Sequence, residues 1–215
     1  MSDRLVIFDM DGTLVDSSIT IVNAINYVRE HFGFHPFDRD YILKRINDHT
    51  LNPAQVFYHV PRFEPIHEKL FSEYYSNNHK KELQLYDGIY ELLVELKEKD
   101  FKLALATNAY RSSTLESISH LQIEDMFDAI ACADDVSLSK PYPDMLYKIL
   151  DEVGVSSQNT IFVGDGERDQ EAASRAGIAY LMVDWGFSDH IGAISSIDEL
   201  KSKIEDFFKN LEISS

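Results

Sequence analysis

The chain has 215 residues, and its 37 acidic side chains against 20 Lys and Arg give a formal net charge of −17 at pH 7. This charge disfavours binding to nucleic acid or to an anionic membrane surface, because both depend on cationic side chains. A hydrophobic content of 44% is enough for a folded core, and no apolar run reaches the roughly 18 residues of a membrane span. The single cysteine, Cys132, cannot form an internal disulfide, and the apolar run near the N-terminus is too short for a signal peptide. These features predict a cytoplasmic protein.

The first predicted strand runs directly into two aspartates. The apolar residues 5–8 are followed by Asp9-Met10-Asp11-Gly12-Thr13. A short apolar run without alternation is typical of a strand that is covered on both faces. Because unpaired buried carboxylates are costly, we expect Asp9 and Asp11 outside the core, either in an ordinary polar turn or in a functional site.

The next segment has helical rather than strand periodicity. The apolar residues with helical spacing are Ile21, Ile25, Val28 and Phe32, then Ile66, Leu70, Phe71 and Tyr74. Prolines interrupt the segment at four positions. We interpret residues 17–84 as a small helical cap that is inserted into a core formed by residues 1–16 and 85–215.

From residue 89 onward, predicted helices alternate with predicted strands. Strands are predicted at 103–106, 129–133, 161–163 and 179–183. Helices are predicted around 89–96, 115–122, 145–153 and 171–176, with Asp87 as an N-cap and Gly177 as a terminator. This alternation indicates βαβ units, and the predicted fold class is α/β, a doubly wound parallel sheet with a Rossmann-like core and an inserted helical cap.

Polar residues follow several of these strands. They are Thr107-Asn108, Lys140 in a proline-rich turn, Asp165 and Asp169. Ligands of open parallel sheets bind beyond the carboxyl ends of the strands, so we expect these side chains to meet Asp9 and Asp11. Gathered carboxylates require a cation, and hard oxygen ligands without a Cys or His cluster favour Mg²⁺.

This set of groups suits phosphoryl transfer. Asp9 can act as a carboxylate nucleophile that forms an aspartyl-phosphate, while a lysine and hydroxyl or amide donors hold the phosphoryl group. Asp11 can protonate the leaving alcohol and then activate water.

The motifs also resemble a known family. Asp-x-Asp-Gly-Thr, Thr-Asn, Lys-Pro-x-Pro and Gly-Asp-x-x-x-Asp, in this order, resemble the haloacid dehalogenase-like hydrolases. The place of the helical insertion resembles members with a helical cap, such as phosphoglycolate phosphatases. The resemblance implies a Mg²⁺-dependent phosphatase that acts on a small phosphorylated metabolite.

The resemblance also implies roles for individual residues. Asp9 would be the nucleophile and Asp11 the general acid and base. The phosphoryl oxygens would be held by Thr107, Asn108 and Lys140. Mg²⁺ would be held by Asp9, the backbone carbonyl of Asp11, and Asp165, with Asp169 acting directly or through water. Gly166 stands where relatives often have serine.

Three alternatives stay open beside the phosphatase. A phosphosugar mutase of the β-phosphoglucomutase type keeps both Asp9 and Asp11, but such relatives lack an acid at the position of Asp169. A dehalogenase lacks a carboxylate at the position of Asp11. A non-catalytic member that binds a partner through its cap would be expected to have lost a motif residue, and none is lost.

Substrate choice is expected to lie mainly in the cap. Arg45 and His49, in the stretch 44–50, are candidates to meet the leaving group, as is Arg111, although Arg45 can equally be exposed and Arg111 can equally begin a helix. Phosphoglycolate, a nucleoside monophosphate, pyrophosphate and a sugar phosphate all remain possible substrates. We expect no nucleic-acid or membrane partner, and a monomer as the default state.

Overall fold

The computed structural model describes residues 4–46, 51–186 and 191–214. These residues divide into two compact units. One unit contains residues 4–15, 85–186 and 191–214, and the other contains residues 16–46 and 51–84.

The first unit is built on a parallel sheet. The strands of the described chain are β1 (Leu5–Phe8), β2 (Val15–Asp16), β3 (Gln84–Leu85), β4 (Lys102–Ala106), β5 (Ala129–Ala131), β6 (Thr160–Gly164) and β7 (Ala179–Met182). Five of them form one sheet in the order β5-β4-β1-β6-β7, and all neighbours in it are parallel. Strands β2 and β3 pair in a separate two-stranded sheet.

The register of this sheet places the strand ends together. Phe8, the last residue of β1, lies opposite Leu105 of β4 on one side and Val163 of β6 on the other. The loops that follow β1, β4 and β6 therefore leave the sheet at the same edge.

Helices cover both faces of the sheet. The α-helices of the described chain are α1 (Ser18–His31), α2 (Arg39–Ile46), α3 (Pro53–Tyr58), α4 (Pro65–Glu82), α5 (Ile89–Glu98), α6 (Arg111–His120), α7 (Asp144–Val153), α8 (Glu167–Ala176) and α9 (Ile197–Ser214). On one face, Met145 of α7 and Ala172 of α8 join Ile7 and Phe162 of the sheet in a single buried cluster. On the opposite face, α5 packs on β4, and α9 packs on α5. The predicted α/β class with a parallel sheet is confirmed.

The second unit is helical and has its own core. Its buried apolar residues are Val22, Ile25, Val28, Ile42, Leu43, Phe57, Tyr58 and Leu70. The buried Arg29 of α1 donates hydrogen bonds to the carbonyl oxygens of His35 and Phe57, and its guanidinium carbon lies 3.5 Å from the ring centroid of Phe37. A buried cation is tolerated here because its donors are paired and an aromatic face contacts it.

Two local predictions have different outcomes. Gly177 ends α8 in the left-handed conformation, with φ of 67°, as predicted. The prediction that Asp87 caps α5 is wrong, because the N-cap is Gly88, with φ of 83°. Among the described residues, no helix is both long and apolar enough to cross a membrane.

Candidate active site

The ammonium group of Lys140 joins two aspartates at the edge of the sheet. Asp9 directly follows β1, and Asp169 lies in the first turn of α8. The Nζ atom of Lys140 lies 2.5 Å from Oδ1 of Asp9 and 2.7 Å from Oδ1 of Asp169, and it also donates to the carbonyl oxygen of Ala106 at 2.8 Å. All three charged residues are buried, with exposed fractions of 4–6%.

A third carboxylate completes the cluster. One carboxylate oxygen each from Asp9, Asp165 and Asp169 lies within 4.8 Å of the others. Three carboxylates and one ammonium leave two negative charges uncompensated in a buried place. A divalent cation that accepts oxygen ligands fits this arrangement in both charge and chemistry.

The electrostatic cost of the cluster is visible in its pKa values. Burial raises the pKa of Asp9 to about 8, and the charges of Asp169 and Asp165 add to this increase against the opposing effect of Lys140. Burial, followed by the charge of Asp169, raises the pKa of Asp165 to about 6. Burial lowers the pKa of Lys140, but the neighbouring charges of Asp9 and Asp169 outweigh it and raise that pKa overall.

Two glycines give the carboxylates room. A Cβ atom at Gly12, where φ is +82°, would lie 2.1 Å from Oδ2 of Asp165. A Cβ atom at Gly164 would lie 2.5 Å from Oδ2 of Asp169. Both glycines are therefore part of the site, since any side chain there would displace a carboxylate.

The loop that carries Lys140 is held by Asn108. The Asn108 side-chain amide donates to the carbonyl oxygen of Lys140 at 2.9 Å, and its Oδ1 accepts from the Lys140 backbone N–H at 3.0 Å. The neighbouring Thr107 is buried, and its hydroxyl oxygen accepts from the Ala109 N–H at 3.1 Å, which leaves the hydroxyl proton available for donation. The side chain of Asn108 thus positions Lys140, while the hydroxyl of Thr107 retains its capacity to donate.

Asp11 lies in a tight turn after β1 and is half-buried. The N–H groups of Leu14 and Val15 both donate to the carbonyl oxygen of Met10 at 2.9 Å. The charge of Asp11 is close enough to contribute to the raised pKa of Asp165.

The three candidate specificity residues have different surroundings. Arg111 is the first residue of α6, and its guanidinium forms a two-pronged ion pair with Asp135, with N–O distances of 2.7 and 2.6 Å. Arg45, in the last turn of α2, donates to the Tyr41 carbonyl oxygen at 3.1 Å and lies 3.5 Å from the centre of the Tyr41 ring. His49 lies outside the described residues.

Two aromatic residues make hydrogen bonds near the site that the sequence did not predict. The Tyr180 hydroxyl donates to the carbonyl oxygen of Gly166 at 3.1 Å, and the Trp185 indole donates to the carbonyl oxygen of Thr13 at 2.9 Å. Burial, with the charges of nearby aspartates, raises the pKa of Tyr180, so its hydroxyl stays protonated as a donor. No local sequence signal marks either contact.

Comparison with known proteins identifies the family. The model of the haloacid dehalogenase-like hydrolases matches residues 6–183, which include every motif of the sheet edge. The chain belongs to the haloacid dehalogenase-like hydrolase family. The predicted resemblance and the predicted enzyme class, a phosphatase of this family, are confirmed.

Individual relatives of this hydrolase span most of its length. The pyrophosphatase PpaX of Halalkalibacterium halodurans is 28% identical over 187 residues, which cover 85% of this chain and 84% of the relative. The phosphoglycolate phosphatase of Aquifex aeolicus is 28% identical over 204 residues, with 95% and 91% covered. A solved structure of a candidate β-phosphoglucomutase from Thermotoga maritima is 26% identical, has a TM-score of 0.73, and is matched over 96% of this chain and 99% of its own.

Proposed function

We propose that this hydrolase is a Mg²⁺-dependent phosphatase that cleaves a small phosphomonoester through an aspartyl-phosphate on Asp9. The observation that carries the proposal is the meeting of three carboxylates around the buried ammonium of Lys140 at the carboxyl edge of the sheet. A buried nucleophile, a fixed cation and room for a metal ion are the components that phosphoryl transfer requires.

The residues that would hold Mg²⁺ are Asp9, Asp165 and the backbone carbonyl of Asp11, with Asp169 directly or through water. When bound, the ion would neutralise the carboxylates and the phosphoryl oxygens and so permit the two to approach. Lys140, already paired with Asp9 and Asp169, would provide the positive charge on the other side of the phosphoryl group.

In the first step, a carboxylate oxygen of Asp9 attacks phosphorus, and the bond from phosphorus to the ester oxygen breaks. Asp11 gives its proton to the departing alkoxide, so the alcohol leaves neutral. Thr107, through its hydroxyl, and Lys140, through its ammonium, hold the non-bridging oxygens, and the Asn108 side chain keeps the Lys140 loop in place.

In the second step, Asp11, now a carboxylate, removes a proton from a water molecule that attacks the phosphorus of the aspartyl-phosphate. The bond between phosphorus and the Asp9 carboxylate oxygen breaks, inorganic phosphate leaves, and Asp9 is regenerated as a carboxylate.

We propose residues 17–84 as the cap domain that selects the leaving group, because the residues at the sheet edge provide phosphoryl chemistry alone. The names of the relatives make pyrophosphate and phosphoglycolate the first substrates to try. Arg111, which is paired with Asp135, is a weaker candidate for substrate selection than Arg45 or His49. The default state that we propose is a cytoplasmic monomer with no nucleic-acid or membrane partner.

A panel of phosphate esters and pyrophosphate, assayed with and without Mg²⁺, tests the proposal. We expect phosphate release that stops on chelation and returns when Mg²⁺ is restored. Asp9→Asn should lower kcat by at least about a thousandfold, since an amide is not a nucleophile here. Asp125→Asn makes the same chemical change at an exposed position and should leave kcat unchanged. Phosphate release by Asp9→Asn at the wild-type rate would refute the proposal.

A mutase is the second candidate, since a candidate β-phosphoglucomutase shares the fold. A mutase must keep water away from its aspartyl-phosphate until the sugar intermediate has turned around. The resemblance implies that mutase-type relatives lack an acid at the position of Asp169, so the presence of this acid supports the phosphatase. Incubation with β-glucose 1-phosphate decides: we expect free phosphate, whereas glucose 6-phosphate without phosphate would establish the mutase.

A further inference from the structure

Trp185 forms a hydrogen bond with the loop that carries Asp9 and Asp11. This residue follows β7, and its indole N–H donates to the carbonyl oxygen of Thr13 at 2.9 Å. The indole ring lies against the ring of Tyr86, with centroids 5.8 Å apart, and the Tyr86 backbone N–H donates to the carbonyl oxygen of Leu14 at 3.1 Å. Two successive carbonyls of the loop are therefore held by one aromatic pair.

The bonds within the loop leave Thr13 weakly fixed. Leu14 and Val15 both donate to the carbonyl oxygen of Met10 at 2.9 Å, but the Thr13 N–H reaches that oxygen only at 3.4 Å. The Thr13 hydroxyl oxygen is buried and has no hydrogen-bond partner within the part of the chain that the structure describes. The hydrogen bond from the Trp185 indole, at 2.9 Å, is therefore shorter than the one that the Thr13 N–H makes within the loop, at 3.4 Å.

We propose that Trp185 is a positioning residue for Asp11, through its hydrogen bond to Thr13 two residues further along the chain. The inference rests on the proposed function, in which Asp11 protonates the leaving alcohol. A general acid works only when it is held within hydrogen-bond reach of the ester oxygen. Loss of the indole bond loosens the turn and lowers the fraction of time that Asp11 spends at that position.

Leaving groups of different basicity separate this role from general support of the fold. Benzyl phosphate releases a basic alkoxide that must be protonated as it departs. 4-Nitrophenyl phosphate releases 4-nitrophenolate, a weakly basic anion that can leave without a proton. A defect that acts through Asp11 therefore lowers kcat/KM for benzyl phosphate selectively, whereas a general loss of structure lowers it for both esters.

The test compares kcat/KM for the two esters in Trp185→Phe and in protein whose tryptophan is replaced by benzothienylalanine. The second replacement exchanges the N–H for sulfur with little change of shape, and it is site-specific because the sequence contains one tryptophan. We expect a fall of about tenfold with benzyl phosphate, the equivalent of one hydrogen bond, and of less than about twofold with 4-nitrophenyl phosphate. Tyr147→Phe, which removes a hydroxyl donor to the Arg175 carbonyl oxygen, should leave the ratio of the two values unchanged.

Equal losses for both esters, or no loss in the benzothienylalanine protein, would overturn the inference. If Trp185→Phe does not fold, as shown by its melting curve, the benzothienylalanine protein decides the question. Asp9→Asn in the same assay separates the two claims. Hydrolysis of both esters by Asp9→Asn refutes the proposed function itself, whereas an inactive Asp9→Asn beside an unchanged ester ratio refutes the role of Trp185 alone.

Discussion

At the scale of single residues, the site places three neighbouring carboxylates beside one buried ammonium group. Lys140 pairs with Asp9 and Asp169, and Asp165 stands within reach of both carboxylates. Burial raises the pKa values of Asp9 and Asp165, and the charges of the neighbouring aspartates add to this increase because Lys140 does not neutralise the cluster by itself. The same imbalance that makes the metal-free site costly makes it a strong cation site once the carboxylates lose their protons.

Mg²⁺ affinity should therefore depend on pH. In the metal-free protein, Asp9 has a pKa of about 8 and Asp165 of about 6, both above the ordinary value of 3.8. Mg²⁺ must displace these protons, so its Kd should fall as the pH rises through 6 and then 8, and should level off above that. Calorimetric titration with Mg²⁺ across this range, in buffers of different ionisation enthalpy, measures both Kd and the protons released.

The same pKa shifts determine how the stability of the fold changes with pH. A carboxyl whose pKa is higher in the folded than in the unfolded protein stabilises the fold at low pH, and this stabilisation is lost as the pH rises through the folded value. The increase in Tm caused by Mg²⁺ should therefore be larger at pH 8 than at pH 5.5. If the Kd for Mg²⁺ and the increase in Tm were both independent of pH, the raised pKa values of Asp9 and Asp165 would be contradicted.

Contacts between residues that are far apart in the chain could not be predicted from the sequence. Asp9, Lys140 and Asp165 were proposed from the sequence because each follows or precedes a recognisable element. The pairing of Asn108 with the Lys140 backbone, and of Trp185 with Thr13, depends on how separate loops approach one another. No pattern along the chain contains that information.

At the scale of elements, the turn between β1 and β2 must come within contact of the loop after β6. Gly12 permits this approach, because it has φ of +82° and no side chain against Asp165. Gly12 therefore determines both the backbone conformation of the turn and the space available to the Asp165 carboxylate.

Gly12→Ala should lower Mg²⁺ affinity and kcat/KM by at least about tenfold, because the methyl group displaces the Asp165 carboxylate. Gly154→Ala is the matched control: its φ is +72°, but nothing lies within 4 Å of the added Cβ. Both variants carry the backbone cost of about 1 kcal/mol for a non-glycine residue in this conformation, so both should lose Tm. Equal activity in the two variants would show that Gly12 is needed only for its backbone conformation and not to leave space for Asp165.

The elements themselves were largely predictable, for physical reasons. The five strands of the main sheet are short apolar runs because helices cover both of their faces, and all five were recognised. The N-cap of α5 was misplaced by one residue, since an aspartate and a following glycine are both acceptable caps. Helix α9 was not predicted, although Leu200, Ile204 and Phe208 recur at helical spacing and are buried.

At the scale of the whole molecule, the parallel sheet is what makes the site possible. Residues from the beginning, the middle and the last third of the chain reach one edge because neighbouring strands run in the same direction. Relatives that are 28% identical and cover most of the chain are named as phosphatases of different substrates. The core accounts for the phosphoryl chemistry that we propose, and substrate choice is expected to reside in residues outside it.

The most direct test of the central claim is mass spectrometry of the enzyme, acid-quenched during its first turnover with Mg²⁺ and substrate. The account predicts one phosphoryl group on the peptide that contains Asp9, its loss as phosphate appears, and no such group in Asp9→Asn. Turnover without any phosphorylated enzyme, or a phosphoryl group on a residue other than Asp9, would contradict it.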